Sequence, residues 1–325
     1  MTIASPALPW LLEPDDPGVR YLALRDLSGL PPGDRELVRA KQAAYSEGPI
    51  STVLKHMNPE GFWRIPGGGY NPKYSSTVWS LILLSQLGAS AGDDRRITKA
   101  CKYYLDHAVS KADSISYNGT PSGVIDCLQG NMCAALTGMD YADDRLDRAY
   151  DWMARSVTGD GVKYYAYKCG PGFACGPNGK LPCAWGAVKV MLAFGKLPEK
   201  RRTPSIRKAI GTGADFLLGS DPVKADYPTR GGIKPSRNWW KFGFPVFYVT
   251  DILQIAEALV SLGYGNDPRL NNAVGFIRSK QDGQGRWILE YDYSGKTWGN
   301  FGEKNRPNKW VTYRALKILK LAGAA

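Results

Sequence analysis

The chain has 325 residues and a formal net charge of +12 at pH 7, with 42 Lys and Arg against 30 Asp and Glu. No stretch reaches the roughly 18 uncharged apolar residues of a membrane span, and no low-complexity tract or charge block divides the chain. The first residues lack the basic flank and apolar core of a secretory signal. We therefore expect a soluble cytoplasmic protein.

The amino-terminal part, residues 1–60, is the least regular region. A helix is predicted to start at Asp16 and Pro17, and a second helical stretch covers residues 35–45. No linker separates this part from the rest of the chain. We therefore expect one domain over residues 1–325, with a less regular helical beginning.

Beyond this part, a two-helix unit recurs about every 50 to 65 residues, and such a period predicts a repeat architecture. Each unit contains a nearly wholly apolar helix, a short bend and an amphipathic helix. The predicted apolar helices cover residues 78–87, 128–136, 185–194, 252–262 and 310–321. Helices that are apolar all round are buried, whereas helices with one apolar stripe lie on the surface. The pattern predicts an inner ring of helices inside an outer ring.

The short bends combine a glycine with an Asp or Thr that starts the next helix. The glycines are Gly88, Gly138, Gly195 and Gly263. Glycine ends helices in the left-handed conformation, and Asp or Thr caps helix amino termini. Sparse β signals at 163–168 and 286–293 predict small hairpins in the long loops. The predicted fold is all-α, an α/α toroid of about five to six helical hairpins.

Every predicted inner helix follows a long loop, so the amino termini of the inner helices share one end of the ring. These termini carry partial positive charge and unpaired amide donors, which favours anions. The side chains expected to bind substrate there are Tyr70, Lys73, Tyr74, Trp239, Trp240, Trp298, Lys309, Trp310 and Arg314. Aromatic walls with a few polar groups suit a sizeable, partly apolar ligand. The alternative is that these aromatic residues only pack the core.

Charge supports an anionic ligand. Residues 201–325 hold 20 Lys and Arg against 10 Asp and Glu, although a solvated basic surface is the alternative. No nucleic-acid-binding motif accompanies the charge, so we expect a small-molecule or oligomeric substrate and no nucleic acid.

Three side chains are candidates for catalysis: Asp126, Tyr248 and Asp251. Asp126 and Asp251 each stand at the start of an inner helix, where a carboxylate serves either as a cap or as a catalytic acid. If the two carboxylates converge in an apolar pocket, the pKa of one should rise and supply a general acid.

Four of the six cysteines are predicted to lie at helix starts or in the loop between them: Cys127, Cys169, Cys175 and Cys183. Converging thiolates in a cytosolic protein suit tetrahedral zinc, although the spacing lacks a close Cys-x-x-Cys pair. A reactive cysteine and inert or disulfide-linked sulfur are the alternatives. No organic cofactor is evident.

The chain resembles the α/α toroids of the squalene-cyclase and prenyltransferase β-subunit superfamily. The segment 279–287, which contains Gln281 and Trp287, looks like the Gln-Trp motif of those repeats. The stretches 127–132 and 309–316 resemble bacterial stand-alone proteins described as prenyltransferase or squalene-oxidase repeat proteins. The acidic motif of the cyclases is reduced here to Asp126, and the Asp-x-Cys zinc motif of the prenyltransferases has no match at Asp251.

The resemblance implies an enzyme that cyclises or transfers an isoprenoid, or acts on another apolar substrate, in a central cavity with Asp126 and Asp251 as acids. One alternative is a carbohydrate-active toroid, similar to acidic polysaccharide lyases, in which a Tyr or Lys abstracts the proton. Another is a scaffold that binds a ligand or peptide without catalysis. Because fold does not fix function, all three stay open.

Overall fold

The computed structural model describes residues 5–161, 169–232 and 234–323. The α-helices are α1 (Leu8–Leu11), α2 (Pro17–Leu22), α3 (Arg35–Ser46), α4 (Pro49–Lys55), α5 (Thr77–Gln86), α6 (Arg95–Ala108), α7 (Asp126–Gly138), α8 (Asp144–Thr158), α9 (Ala184–Lys196), α10 (Pro204–Leu218), α11 (Ile252–Ser261), α12 (Asn271–Ser279) and α13 (Lys309–Leu321). Strands β1 (Ala174–Cys175) and β2 (Leu181–Pro182) form an antiparallel pair. In the described part of the chain, no helix is long and apolar enough to cross a membrane.

The predicted α/α toroid is confirmed. The inner helices α5, α7, α9, α11 and α13 pack side by side in chain order, and α6, α8, α10 and α12 lie outside them. Helix α2, which continues as a π-helix through Ala23–Ser28, contacts α13 and closes the ring as a sixth inner member. On its open side the same element meets the bend after α5, where Gly88 lies against Leu22.

Capping residues fix the short bends as predicted. The side chains of Asp94, Asp143, Thr203 and Asp267 each accept a backbone hydrogen bond from the first turn of the next helix. Gly88 and Gly263 take positive φ values of 79° and 93° and end their helices. The other two bends differ from the prediction: Gly138 is the last residue of α7, with Asp140 at positive φ, and Gly195 lies inside α9.

Neither of the two predicted hairpins is confirmed by the described residues. Residues 163–168 lie outside the described part. Residues 286–293 form only isolated bridges, Gly243 with Tyr291 and Ile288 with Pro307.

The closest approach in the inner ring is between α7 and α9. A Cβ atom placed on Gly130 would lie 2.4 Å from the backbone carbon of Lys189, so only glycine fits at this crossing. The amino termini of these two helices are consequently held close together, and they frame the candidate site described below.

The centre of the ring is filled by part of the loop between α10 and α11. We call residues 243–249 the axial segment. Each of α5, α7, α9, α11 and α13 holds its backbone through one polar side chain, and these are Gln86, Asn131, Lys189, Gln254 and Arg314. A loop in the hole of a ring needs partners for its backbone amides and carbonyls, because an unpaired buried polar group is costly.

Two of these side chains form paired contacts. Gln86 accepts from the Val246 amide at 2.8 Å and donates to the Val246 carbonyl at 2.6 Å. The Lys189 ammonium donates to the carbonyls of Phe247 at 3.0 Å and Val249 at 3.3 Å. The axial segment therefore separates the loop end of the ring from the bend end.

Candidate functional site

A cleft of about 400 Å³ opens at the loop end, between the amino termini of α7 and α9 and the loop that follows α10. Its aromatic wall comprises Trp185, Tyr227, Trp239 and Tyr248. Trp185 meets Tyr248 edge to face, with ring centroids 5.9 Å apart. The volume and the aromatic lining are typical of a small-molecule site.

Asp126 is the carboxylate of this cleft. It is the first residue of α7 and is only 5 % exposed. Burial, with a smaller contribution from nearby Cys175, raises the pKa of Asp126 well above 3.8. Among the described residues, no hydrogen bond or ion pair to its carboxylate offsets that burial. Asp126 is therefore suited to hold a proton at a higher pH than an exposed carboxyl group does.

Glycine makes room beside this carboxyl group. A Cβ atom on Gly186, in the first turn of α9, would lie 3.2 Å from the Cβ of Asp126. A side chain at this position would crowd the carboxyl group from the facing helix.

Two thiols occupy the hairpin at the edge of the cleft. Cys175 ends β1 and Cys183 follows β2, and both line the cleft. The Cys183 thiol donates a hydrogen bond to the Cys175 sulfur, which lowers the pKa of Cys175, and the backbone amide of Asn178 adds to this effect. The same bond raises the pKa of Cys183. Cys175 is thus the thiol of the cleft that ionises most readily.

Tyr248 and Cys127 face each other across the floor. The charge of the thiolate, together with burial, raises the pKa of Tyr248, and its hydroxyl donates a hydrogen bond to Cys127. Burial raises the pKa of Cys127 to about 11. Both groups therefore keep their protons at neutral pH and can donate hydrogen bonds. Neither is suited to act as a base, because a base must be deprotonated.

Lys73 borders the cleft on the side of α5. Its exposed ammonium lies 5.8 Å from the ring centroid of Tyr70 and 5.6 Å from that of Tyr248. Within the described residues it has no ion-pair partner. Tyr74 lies next to this group and packs on Phe247 and Tyr293.

The opposite rim is a basic loop. Residues 221–241 carry five Lys and Arg, which are Lys224, Arg230, Lys234, Arg237 and Lys241, against Asp221 and Asp226. None of the five is among the described lining residues, and Lys234 pairs with Asp226, so the loop acts through its net charge. Asn178, Thr229 and Ser236 add neutral polar side chains to the lining on this side.

Other predicted site residues lie elsewhere. Asp251 caps α11 and is fully buried, where it accepts from the Gln254 amide at 2.8 Å and the Tyr291 hydroxyl at 3.1 Å. Arg314 forms an ion pair with it at 3.4 Å. Asp251 and Asp126 do not converge, and the raised pKa of Asp126 comes from burial and Cys175.

The remaining predicted binding residues serve packing or ion pairs. Lys309 pairs with Glu13 at 2.9 Å and with Asp15. Trp310 stacks on Phe244 with centroids 4.5 Å apart. The other two tryptophans make the following contacts: the Trp240 indole donates to the Val223 carbonyl, and Trp298 stacks on His56 and donates to Ser80.

The zinc prediction finds no support. In residues 5–161, 169–232 and 234–323, no group of three or more His, Cys, Asp or Glu side chains is arranged to hold a metal ion. Cys169 packs with Val124 and Trp152 in a small separate core cluster, and burial raises the pKa of its thiol. Cys127, Cys175 and Cys183 remain in the cleft without Cys169 among its lining residues.

Sequence reasoning missed the other members of the cleft. Trp185, Gly186 and Tyr227 were not singled out, and neither were the polar residues of the basic loop. Position alone could have identified Trp185 and Gly186, because they occupy the first turn of an inner helix at the loop end.

No protein-family model and no curated protein match the chain. Among solved structures, it is similar to a glycosyl hydrolase family 88 protein from Bacteroides vulgatus, with 14% identity, a TM-score of 0.48, and coverage of 94% of this chain and 89% of that one. A wild-type glycosidase aligns with 10% identity and a TM-score of 0.37, over 91% of this chain and 100% of that one. A glycosidase variant in complex with glucose has the same identity and coverage and a TM-score of 0.34.

The resemblance to squalene cyclases and prenyltransferases was wrong. No such family model matches, and the similar solved structures are glycoside-acting proteins. The structure gives a physical reason why an isoprenoid does not fit in the centre of the ring. The axial segment fills the centre of the ring, and the axial cavity below it, about 180 Å³, is lined by charged side chains such as Lys189, Glu257 and Arg314. An apolar chain would leave these groups without hydration.

The Gln-Trp-like motif has a packing role. Trp287 is 1 % exposed, and its indole donates to the Ile277 carbonyl of α12 at 2.7 Å. Its own amide donates to Thr312 of α13 at 2.9 Å. The motif therefore joins an outer helix to the next inner helix.

Proposed function

We propose that this protein is a carbohydrate-active enzyme that takes an acidic sugar or oligosaccharide into the cleft, with Asp126 as the proton donor. The observation that carries the proposal is a buried carboxyl group with a raised pKa, opening into an aromatic-walled cleft whose described lining residues include no Lys or Arg. Burial of this kind raises the pKa of the carboxyl groups that act as general acids.

The aromatic wall supports a sugar. A pyranose ring presents apolar C–H groups on its faces and hydroxyl groups on its edge. The half-buried Trp185 ring and Tyr248 provide apolar surface for such a face, while Asn178 and Ser236 can bond hydroxyl groups. The glycosidases among the similar solved structures agree with this substrate class.

The basic rim supports an acidic sugar. Lys73, on one side of the cleft, lies over two aromatic rings and has no ion-pair partner among the described residues. The loop of residues 221–241 supplies further positive charge on the other side. A uronate carboxylate would be attracted to both.

The ionisable groups of the cleft favour elimination over hydrolysis. Glycoside hydrolysis ordinarily needs two carboxyl groups on either side of the bond, and Asp126 is the only carboxylate in the lining as the structure describes it. Elimination needs one base and one acid. Asp126 and Cys175 are a pair whose pKa values are shifted in opposite directions, which is how acid and base roles are separated.

In this mechanism the Cys175 thiolate removes the proton on the carbon next to the uronate carboxylate. The electron pair forms a carbon–carbon double bond as the glycosidic C–O bond breaks. Asp126 gives its proton to the departing oxygen. The Cys127 thiol, which accepts from the Tyr248 hydroxyl, donates its own proton to a substrate oxygen, and Lys73 holds the carboxylate.

The test is an assay with uronate-containing and matched neutral oligosaccharides. We expect an ultraviolet-absorbing unsaturated product from the uronate set only, and loss of that product in Asp126→Asn and in Cys175→Ser. The control is Cys101→Ser, because Cys101 is buried on the outer helix α6 away from the cleft. New reducing ends without ultraviolet absorbance would contradict elimination, and no binding of any sugar would contradict the substrate class.

A further inference from the structure

The axial cavity has no part in the proposed reaction. It lies on the axis of the ring, on the far side of the axial segment from the cleft, and holds about 180 Å³. Each of the six inner elements contributes to its wall, including Leu22, Gln86, Asn131, Lys189, Gln254 and Lys317. Its roof is formed by Phe244 and Val246 of the axial segment.

Positive charge dominates this wall. Five cationic side chains line the cavity, namely Arg25, Lys189, Lys196, Arg314 and Lys317, and Glu257 is the one carboxylate among its described lining residues. Two further carboxylates lie just outside the lining, Asp26 beside Arg25 and Asp251 beside Arg314. Burial lowers the pKa of Lys189 to about 7, so five cations and three carboxylates leave a surplus of one to two positive charges at neutral pH.

The cations at the mouth are only partly satisfied. Lys196 is 3.4 Å from Glu257, a long ion pair, and its side chain is 38% exposed. Arg25 and Lys317 share one carboxylate, that of Asp26, at 2.6 and 2.7 Å. Burial alone would raise the pKa of Glu257, but the charges of Lys196 and Lys317 lower it, so this carboxylate is ionised among the cations.

The amide groups deeper in the cavity are already bonded to the axial segment. The amide nitrogen of Asn131 donates a hydrogen bond to the Phe247 carbonyl, and that of Gln86 donates to the Val246 carbonyl. The carboxyl ends of the inner helices point toward this end of the ring and offset part of the surplus charge. A site with partly exposed cations at its mouth suits a small, hydrophilic anion.

We propose that the axial cavity binds a phosphate group, either as the free ion or as part of a small phosphate monoester. Lys196, Lys317 and Arg25 are the groups that contact its oxygens at the mouth. Charge-assisted hydrogen bonds from such groups are the strong ones in proteins. This site is independent of the cleft and of the reaction proposed there.

The test is calorimetric titration of the full chain with inorganic phosphate and, separately, with glycerol phosphate, against sodium chloride of equal ionic strength. We expect saturable binding at one site per chain. In Lys196→Met and in Lys317→Met the affinity should fall by at least about tenfold, because each variant loses a charge-assisted hydrogen bond to the phosphate. Tighter binding of glycerol phosphate than of inorganic phosphate would identify a phosphate monoester as the ligand. Equal binding of the two would identify the free ion.

The matched control is Lys208→Met. Lys208 is an exposed lysine on the outer helix α10 that pairs with Asp160 at 2.9 Å, far from the axis. The affinity of the Lys208→Met variant for phosphate should equal that of the unaltered chain. Absence of saturable binding, or an unchanged affinity in Lys196→Met with the fold intact by circular dichroism, would overturn the proposal.

Discussion

Asp126 and Asp251 both stand at the start of an apolar inner helix, yet their surroundings are opposite. Asp251 is enclosed by an arginine, a tyrosine hydroxyl and a backbone amide. Among the described residues Asp126 has no such partner, and it faces an open cleft. The same position in the repeat is therefore a structural cap in one unit and a candidate acid in another, and the side chains that surround it decide which.

The largest effect expected from this comparison concerns Asp126. We expect Asp126→Asn to lower turnover of the cleft's substrate by about 10²- to 10⁴-fold, the range for loss of a general acid. The measurement is the initial rate in the elimination assay, with correct folding checked by circular dichroism. Asp143→Asn is the control, because Asp143 caps α8 at the bend end. Equal rates in both variants would remove Asp126 from the mechanism.

The next effect concerns the other carboxylate. Arg314→Met should destabilise the fold by about 3–5 kcal/mol, because it leaves the buried Asp251 charge unpaired. It also removes the hydrogen bond to the Gly243 carbonyl, 2.7 Å long. Urea denaturation measures the change. A loss under about 1 kcal/mol would show that Asp251 does not depend on its ion pair.

A smaller effect concerns the pH dependence of stability, which for Asp126 has the opposite sign to that of an ion-paired carboxylate. The folded-state pKa of Asp126 is raised above its unfolded value, so the stability that this group provides is present below pH 3.8 and is lost as the pH rises through the folded pKa. Asp126→Asn should therefore raise the melting temperature at neutral pH and lose that advantage toward pH 4. Melting curves across this range test the sign. A lower melting temperature at neutral pH would mean that the ionised carboxylate is stabilised.

The smallest effect concerns the rim. Lys73→Met should weaken binding of a uronate oligosaccharide about two- to fivefold, as expected for an exposed ion pair, and leave the neutral analogue unchanged. Added salt should shrink the difference. Calorimetry with the two sugars measures both. Equal weakening for both sugars would assign Lys73 a packing role on Tyr70 and Tyr248.

Periodicity was enough to predict the ring, because the inner helices are largely apolar and each bend carries its own capping residue. Asp94, Asp143, Thr203 and Asp267 cap helices for local reasons that the sequence contains. Neighbours along the chain also explain why Asp126, Cys175 and Cys183 fall in one cleft, since they lie at or between the starts of α7 and α9.

The sequence could not show how the loops fill the ring. The axial segment is held by side chains up to 160 residues away, such as Gln86 on Val246, and no local pattern encodes such a contact. For the same reason Asp251, Lys309 and Trp310 were predicted to face a common mouth. In the structure their partners are Arg314, Glu13 and Phe244, each on another part of the chain.

The most direct test of the account is a carbon-13 NMR titration of the Asp126 carboxyl group, identified by its absence from spectra of Asp126→Asn. We predict that this carboxyl group stays protonated well above pH 3.8 and that a bound uronate sugar shifts its resonance. A resonance that titrates at or below that pH would contradict a proton-holding acid in the cleft.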